Sequence, residues 1–226
     1  MFKKLLLLIP FALLFGATQA QAYDIPIPGI TPVQQSEVNG QLLSQRSMSL
    51  ADRYAVPSVN TAFQNNILLT FAYLAGTVKN PNQISWDGLQ NPAHYEIDLK
   101  PGEVFAFHND VLPEFANKHV ITTNAHFDMQ EGFVSDGYLY GDGVCHFASL
   151  INWAATDAGL KVVAPTNHDF AVIPGIDRKY GTAIYYSAGE SAANEAQNLY
   201  VENTFDKPVK LVFTYNDNVL TVAVYK

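Results

Sequence analysis

The sequence predicts an α+β fold, with helices in the first third, a central helix that starts at a cysteine, and a mainly antiparallel β-sheet. Apolar residues recur at helical spacing in two segments, 61–75 and 144–158. From His94 onward, short runs of strand-forming residues alternate with turns. Helices followed by many short strands are typical of this fold class.

The two helical segments have recognisable faces and ends. Ile67, Phe71 and Leu74 lie at intervals of four and three, so they share one face of the first helix, and Gly76 is placed to close it. The second helix, 144–158, carries an apolar face that should be buried. A shorter helix is predicted near Ser49 to Tyr54, after a proline-rich extended leader.

The strand predictions rest on short apolar runs. The last two runs flank a polar turn and should pair as a hairpin. The predicted strands are Tyr95 to Leu99, Glu103 to Phe107, Lys161 to Val163, Phe170 to Ile173, Ala183 to Tyr186, Leu199 to Glu202, Val209 to Tyr215, and Val219 to Tyr225.

The first residues have the pattern of a secretory signal peptide. Lys3 and Lys4 precede an apolar run from Leu5 to Phe15, and small residues follow up to Ala22. The run is shorter than the roughly 20 residues of a membrane-spanning helix, and no later stretch replaces it. We therefore expect a soluble exported protein, periplasmic or extracellular, with no transmembrane segment in the mature chain. An uncleaved N-terminal anchor is the alternative. The chain divides into a signal peptide (1–22), an extended leader with a short helix (23–57) and one domain (58–226).

The charge excludes one class of partner. All 21 acidic residues but only 11 of the 13 basic ones lie beyond residue 22, so signal removal takes the formal charge from -8 to -10. An acidic surface repels polyphosphate, and nucleic acid is therefore not an expected partner. The sequence leaves the oligomeric state undetermined.

Cys145 is the single cysteine of the chain, so it has no disulfide partner within its own molecule. It follows a glycine-rich turn and opens the predicted central helix. A free thiol in an exported protein, at a helix N-terminus, is a candidate nucleophile. The alternative is a small buried hydrophobic residue, which is what most free cysteines are.

The predicted position at the helix start suggests how the thiol would be activated. The helix dipole and the unpaired N–H groups of the first turn stabilise a thiolate and should lower its pKa. The same N–H groups can donate to an oxyanion. Gly141 and Gly143 would let the chain turn tightly and let a substrate backbone approach.

Among the six histidines, His168 is the best placed to act as base, because it opens a strand-like run shortly after the cysteine helix. Asp177 could orient its imidazole. His146 adjoins the thiol but points about 100° away on a helix, so it is assigned to substrate or oxyanion binding. His108 is assigned to the same role. For each histidine an ordinary structural role remains the alternative.

Other chemistries have weaker support. The sequence contains no HxH, HExxH or CxxC spacing, so no metal site and no cofactor are predicted. It also lacks the Gly-x-Ser-x-Gly turn of serine hydrolases.

Several segments resemble one family in order and approximate spacing. Residues 101–107 resemble the PGEVFSF strand of VanW-like domains, named for an accessory protein of vancomycin-resistance clusters, and residues 141–146 resemble their GGGVCQ. His146 stands where the family has glutamine, and Ile176 replaces an arginine. The further similar segments are 158–160, 167–169, 174–177 and 198–204.

The resemblance implies an envelope protein, since some VanW-like domains are understood to be cysteine L,D-transpeptidases that cross-link peptidoglycan stems. Cys145 would then be the nucleophile, His168 the base and Asp177 its orienting partner, with peptidoglycan or another peptide as substrate. Two alternatives stay open. The protein could be a papain-like thiol hydrolase with the same residues, or a non-catalytic envelope module that binds peptidoglycan or a partner.

Overall fold

The computed structural model describes residues 40–137 and 141–226, and it has the predicted α+β architecture. Helices pack against two four-stranded sheets. The predicted signal peptide and residues 23–39 of the predicted leader lie outside the described residues. Within the described ranges, no helix combines the length and apolar character that a bilayer crossing requires.

The larger sheet is antiparallel throughout, with the strand order β1-β8-β7-β2. The predicted hairpin is confirmed, because β7 and β8 are joined by Asp217 and Asn218, both with positive φ as a two-residue turn requires. The strands of this sheet are β1 (Leu42–Ser49), β2 (Ala93–Leu99), β7 (Val209–Asn216) and β8 (Val219–Tyr225).

The smaller sheet has three-residue strands in the order β4-β3-β6-β5. The pair β3–β4 is parallel and the other two pairs are antiparallel, so the sheet is mixed. Its strands are β3 (Val104–Ala106), β4 (Val120–Thr122), β5 (Lys161–Val163) and β6 (Tyr200–Glu202).

Two long helices confirm the predictions made from apolar spacing. They are α1 (Pro57–Leu74) and α3 (Val144–Asp157), and the short helices are α2 (Trp86–Leu89) and α4 (Ser191–Ala196). The α3 helix packs against β1 and β8 of the larger sheet, β5 of the smaller one, and α1. Phe71 of α1, Phe147 of α3 and Phe213 of β7 form mutual ring contacts in the core. The helix that begins beside the cysteine is therefore the central element of the fold.

Three local predictions are wrong. No helix forms at 49–54, because the chain before it is the extended strand β1, which pairs with β8 as far as Ser49. The segments 170–173 and 183–186 are not strands. In the second segment, Ala183 donates to Thr166 and Tyr185 to Gln197, so its N–H groups serve different neighbours instead of one ladder.

Candidate active site

The glycine turn before α3 is shaped by close backbone contacts. Gly143 has φ +100°, and a Cβ there would lie 2.8 Å from the carbonyl oxygen of Phe63. Gly141 has φ +80°, and its Cβ would lie 3.0 Å from Phe127. Both glycines border the thiol cavity. They are needed chiefly because α1 and the 127 segment approach the turn so closely.

Asn66, a fully buried residue of α1, fixes this turn. Its side-chain amide donates to the carbonyls of Val134 and Asp142, both at 2.9 Å, and its oxygen accepts the N–H of Val134 at 2.9 Å. Three hydrogen bonds on one buried side chain leave the turn little freedom. The start of α3 is thus held by α1.

Cys145 is the second residue of α3, and its sulfur contacts one backbone segment. The N–H of Ile184 donates to Sγ at 3.4 Å, and the thiol donates to the carbonyl of Ile184 at 3.7 Å. Burial raises the pKa of the thiol to about 11, and hydrogen bonds from the backbone N–H groups of Ile184 and Cys145 offset this only in part. The expectation of a lowered pKa is therefore wrong, because desolvation outweighs the helix start.

Polar residues of α3 hold the 180–184 segment against the thiol. Ser149 donates to the carbonyl of Cys145 at 2.7 Å and accepts the N–H of Thr182 at 2.9 Å. Asn152 donates to the carbonyl of Tyr180 and to the hydroxyl of Thr182, both at 3.1 Å. Ile184 is therefore a fixed neighbour of the sulfur.

Cys145 borders a cavity of about 370 Å³ whose walls are largely aromatic. A second cavity of about 400 Å³ lies apart from it, between α1, α2 and β2, and contains none of the predicted site residues. The thiol cavity is lined by Tyr54, Phe63, His126, Phe127, Asp128, Gly141, Asp142, Gly143, Val144, Cys145, His146, His168, Phe170, Ala171, Ile184, Tyr185 and Tyr186. The fold thus brings Cys145, His146 and His168 to one cavity.

His168 has the tautomer that a general base requires. Its Nδ1 lies 3.2 Å from the carbonyl oxygen of Ala171, and since a carbonyl only accepts, Nδ1 carries the proton. Burial lowers the pKa of His168, so the ring is neutral and Nε2 keeps its lone pair. The ring also packs against exposed Phe170 at 4.0 Å between centroids.

Asp177 does not orient His168. Its carboxylate is exposed and accepts the N–H of Lys179 at 3.1 Å, where it caps a single helical turn. No hydrogen bond joins Asp177 to His168 within the described residues, and the orienting acceptor at His168 is the carbonyl of Ala171. The predicted Asp177–His168 pairing is therefore corrected to a backbone contact.

His146 is buried and hydrogen-bonded on both ring nitrogens. Nδ1 lies 3.2 Å from the Arg53 guanidinium and Nε2 lies 3.3 Å from the Tyr54 hydroxyl. Burial, with Arg53 and His168 nearby, holds the pKa of His146 well below its usual range. His146 borders the cavity, but both of its polar atoms are engaged by residues 53 and 54.

His108 does not line the thiol cavity. The ring is fully buried, with Nε2 3.2 Å from the carbonyl of Gln197 and Nδ1 3.3 Å from Asn198. Burial lowers the pKa of His108 to about 4. Its assignment to substrate binding is corrected to a structural role. His126, in contrast, borders the cavity and pairs with Glu131 at 2.8 Å.

Asp142 adds a titratable carboxyl to the cavity wall. Burial and the neighbouring Asp136 raise its pKa to about 6, and its carboxylate accepts the N–H of Asp136 at 3.0 Å. The carboxyl lies three residues before the thiol, and its negative charge contributes to raising the thiol pKa. Charge at this wall therefore changes near neutral pH.

Arg53, Tyr54 and Asn66 belong to the site but were not predicted from the sequence. Arg53 donates to the carbonyls of Ser49 at 2.7 Å and Pro174 at 3.1 Å, while its buried Nε has no partner among the described residues. Arg53 and Tyr54 lie in the predicted leader and Asn66 lies in the first predicted helix, and neither segment contained a predicted site residue. The sequence held one signal of a special role: Arg53 is the single charged residue in the stretch 53–78.

The described part of the chain contains no cluster of side chains that could bind a metal ion. Within residues 40–137 and 141–226, no group of three histidine, cysteine, aspartate or glutamate side chains is arranged to hold an ion.

Together the fold and the site define an α+β domain with a cysteine–histidine cavity at the start of a buried central helix. Residues 94–225, more than half of the chain, match the family described as VanW like protein, and the chain belongs to this family. The match confirms the resemblance carried by the strand and cysteine motifs. Comparisons with curated proteins and with solved structures gave no match.

Proposed function

We propose that this protein is an exported cysteine acyltransferase that acts on peptidoglycan stem peptides in the manner of an L,D-transpeptidase. Cys145 is the nucleophile and His168 the general base and acid. The substrate class comes from the VanW-like resemblance. The cysteine–histidine cavity supports the chemistry.

One observation carries the proposal: Cys145 and His168 border the same cavity, and His168 presents an unprotonated Nε2. The proton on Nδ1 is held by Ala171, so Nε2 is the nitrogen left to accept a proton from the thiol. The carbonyl of Ala171 takes the place of the expected carboxylate and also stabilises the imidazolium once it forms.

In the first step, Sγ attacks the carbonyl carbon between an L- and a D-centre while His168 takes the thiol proton. The tetrahedral oxyanion collapses, the C–N bond breaks, and the departing terminal D-amino acid receives that proton from His168. The product is a thioester on Cys145. The partial positive charge of the helix dipole at the start of α3 is suited to stabilise the oxyanion.

In the second step, an amino group of another stem attacks the thioester carbon. His168 removes a proton from this amine and returns it to the sulfur as the C–S bond breaks, which restores the thiol and leaves a new amide. Water in place of the amine would give hydrolysis with the same residues.

The resting site is a neutral thiol beside a neutral imidazole. The pKa of Cys145 is raised to about 11 and that of His168 is lowered, both through burial. A preformed thiolate–imidazolium pair is therefore disfavoured, and proton transfer must accompany the attack. Alkylation by iodoacetamide should accordingly keep accelerating with pH above 9.

The test is acylation by a carbapenem. Addition of the thiol across the β-lactam C–N bond opens the ring and raises the protein mass by one whole carbapenem, which intact-mass spectrometry detects. We expect a single adduct on the wild-type protein and none on Cys145→Ala. Replacing the base in His168→Gln should slow adduct formation by about 100-fold or more.

His119→Gln is the matched histidine control, because His119 is exposed and does not border the cavity. It should acylate at the wild-type rate. An adduct that persists in Cys145→Ala, or an unchanged rate in His168→Gln, would contradict the assignment. Products from muropeptides then separate transfer to an amine from hydrolysis.

A second candidate is a non-catalytic envelope module that binds peptidoglycan. The high pKa of the Cys145 thiol favours this candidate. The hydrogen bonds of the sulfur also favour it, because they join Sγ to the backbone of Ile184 and not to a described histidine. This candidate predicts no carbapenem adduct, yet retained binding of muropeptides. Export is part of both proposals, and N-terminal sequencing of the protein from culture fluid or periplasm should begin at residue 23.

A further inference from the structure

Tyr54 lies at the cavity wall, outside the region that matches the family. Asn60 at the start of α1 accepts the backbone N–H groups of Arg53 and Tyr54 at 2.8 and 3.1 Å. The tyrosine ring packs on Phe63 with 4.8 Å between centroids. Both the backbone and the ring of Tyr54 are thus held in place.

Arg53 determines which atoms donate and which accept in the hydrogen bonds beside Tyr54. A guanidinium only donates, so Nδ1 of His146, 3.2 Å from Arg53, must accept. A neutral His146 then carries its proton on Nε2. That proton can only be donated to the Tyr54 oxygen, 3.3 Å away.

The proton of Tyr54 is consequently not shared with His146. Among the described residues, the Tyr54 hydroxyl has one hydrogen bond, in which its oxygen accepts the Nε2–H of His146. No described residue accepts the proton of the hydroxyl itself. Burial raises the pKa of Tyr54, so the hydroxyl keeps its proton at neutral pH. A half-buried donor without an acceptor at a cavity wall is ready to bind a ligand oxygen.

We propose that the Tyr54 hydroxyl donates a hydrogen bond to a carbonyl or carboxylate oxygen of the acyl substrate in the thiol cavity, with Arg53 and His146 as positioning residues. The substrate role rests on the proposed acyl transfer. The assignment of Tyr54 as a donor rests only on the hydrogen bonds that link Arg53 to His146 and His146 to Tyr54. The cavity would then be completed by a segment that precedes the family match.

The first experiment is independent of catalysis and reads the His146 tautomer by ¹⁵N NMR of histidine-labelled protein, with His146→Gln to assign the signal. We expect a protonated Nε2 and an unprotonated Nδ1 at pH 7. In Arg53→Met the acceptor requirement at Nδ1 is gone, and the Nδ1–H form should become populated. A protonated Nδ1 in the wild-type protein would overturn the donor assignment.

The second experiment compares two reagents for the same thiol. Acylation by a carbapenem develops negative charge on a carbonyl oxygen, whereas alkylation by iodoacetamide displaces iodide at a saturated carbon. Tyr54→Phe should slow acylation by about tenfold, the value of one hydrogen bond, while alkylation changes less than twofold. Arg53→Met should also slow acylation, as Tyr54→Phe does. Tyr95→Phe, a β2 tyrosine away from the cavity, should leave both rates unchanged.

The outcomes separate the two proposals. Equal losses in both rates, or no loss in either, would overturn the substrate role of Tyr54. If the wild-type protein forms no acyl adduct but His146 has the protonated Nε2, acyl transfer fails while the donor assignment stands. Muropeptide binding, weaker in Tyr54→Phe than in Tyr95→Phe, would then support the same donor in a binding module.

Discussion

The larger sheet and the thiol cavity are built in opposite ways. The sheet consists of strands seven or eight residues long, held by regular ladders around buried side chains. The cavity wall is mostly irregular backbone from five separate segments (54, 126–128, 141–143, 168–171 and 184–186), held by single polar side chains such as Asn66 and Asn152. Damage to the sheet should therefore cost stability, whereas damage to the wall should cost mainly local geometry.

The largest expected effect is on the sheet. Phe213→Ala removes a fully buried ring that contacts Phe71 and Phe147, and should lower the free energy of unfolding by about 3–5 kcal/mol. Urea denaturation followed by fluorescence measures the change. If the variant folds, the chemistry of Cys145 should be retained.

Val219→Ala is the control in the same sheet, since Val219 of β8 is 40% exposed. It should cost less than about 1 kcal/mol. Similar losses in the two variants would contradict a core centred on the three phenylalanines.

A smaller effect is expected at the glycine turn. Gly143→Ala imposes a positive φ on alanine and places a methyl group 2.8 Å from backbone of Phe63, which should cost about 2–4 kcal/mol. The contact is with backbone, so α1 and the turn must move apart. Thermal and urea denaturation measure the loss, and iodoacetamide should then react faster with Cys145.

Gly175→Ala separates strain from collision. Gly175 also has a positive φ, +80°, but a Cβ there meets nothing within 4 Å. It should cost about 1–2 kcal/mol, the price of the left-handed conformation alone. Equal losses at Gly143 and Gly175 would mean that the approach of Phe63 does not constrain the turn.

The smallest effect concerns pH. The folded pKa of Asp142, about 6, lies above the ordinary value of 3.8, so folding disfavours its carboxylate form. The destabilisation is full above pH 6 and disappears as the pH falls towards 4. Asp142→Asn should raise the free energy of unfolding at pH 8 by about 1 kcal/mol, a shift discounted because the carboxyl is only half-buried.

Urea denaturation of both proteins from pH 4 to pH 8 measures this difference. Asp87→Asn, at an exposed position in α2, is the control and should change the free energy of unfolding at pH 8 by less than Asp142→Asn does. An Asp142→Asn offset that is equally large at pH 4 and pH 8 would show that the effect is not ionisation.

The same contrast explains what could be predicted from the sequence. The long helices and the final hairpin follow from local periodicity and turn residues, so α1, α3, β7 and β8 were predicted within a few residues. The thiol and His168 were brought to one cavity as expected. β1 was missed because its sequence is polar and its strand state depends on pairing with β8, about 180 positions away along the chain.

The site details that failed were those decided by tertiary contacts. The pKa of Cys145 depends on how deeply α3 is covered, which the sequence near the cysteine does not encode. Asp177 lies nine positions after His168, yet its carboxylate caps its own turn. Segment 183–186 looks like a strand, but Ile184 gives its N–H to the sulfur.

The strand β1 precedes the family match and covers β8, while Ser44 within it donates to the carbonyl of Ala154 in α3. A fragment limited to residues 94–225 would leave β8 as an open edge with unsatisfied N–H and C=O groups. Such an edge recruits other chains. Aggregation of that fragment, and solubility of one beginning near residue 40, would follow from a strand that the family boundary omits.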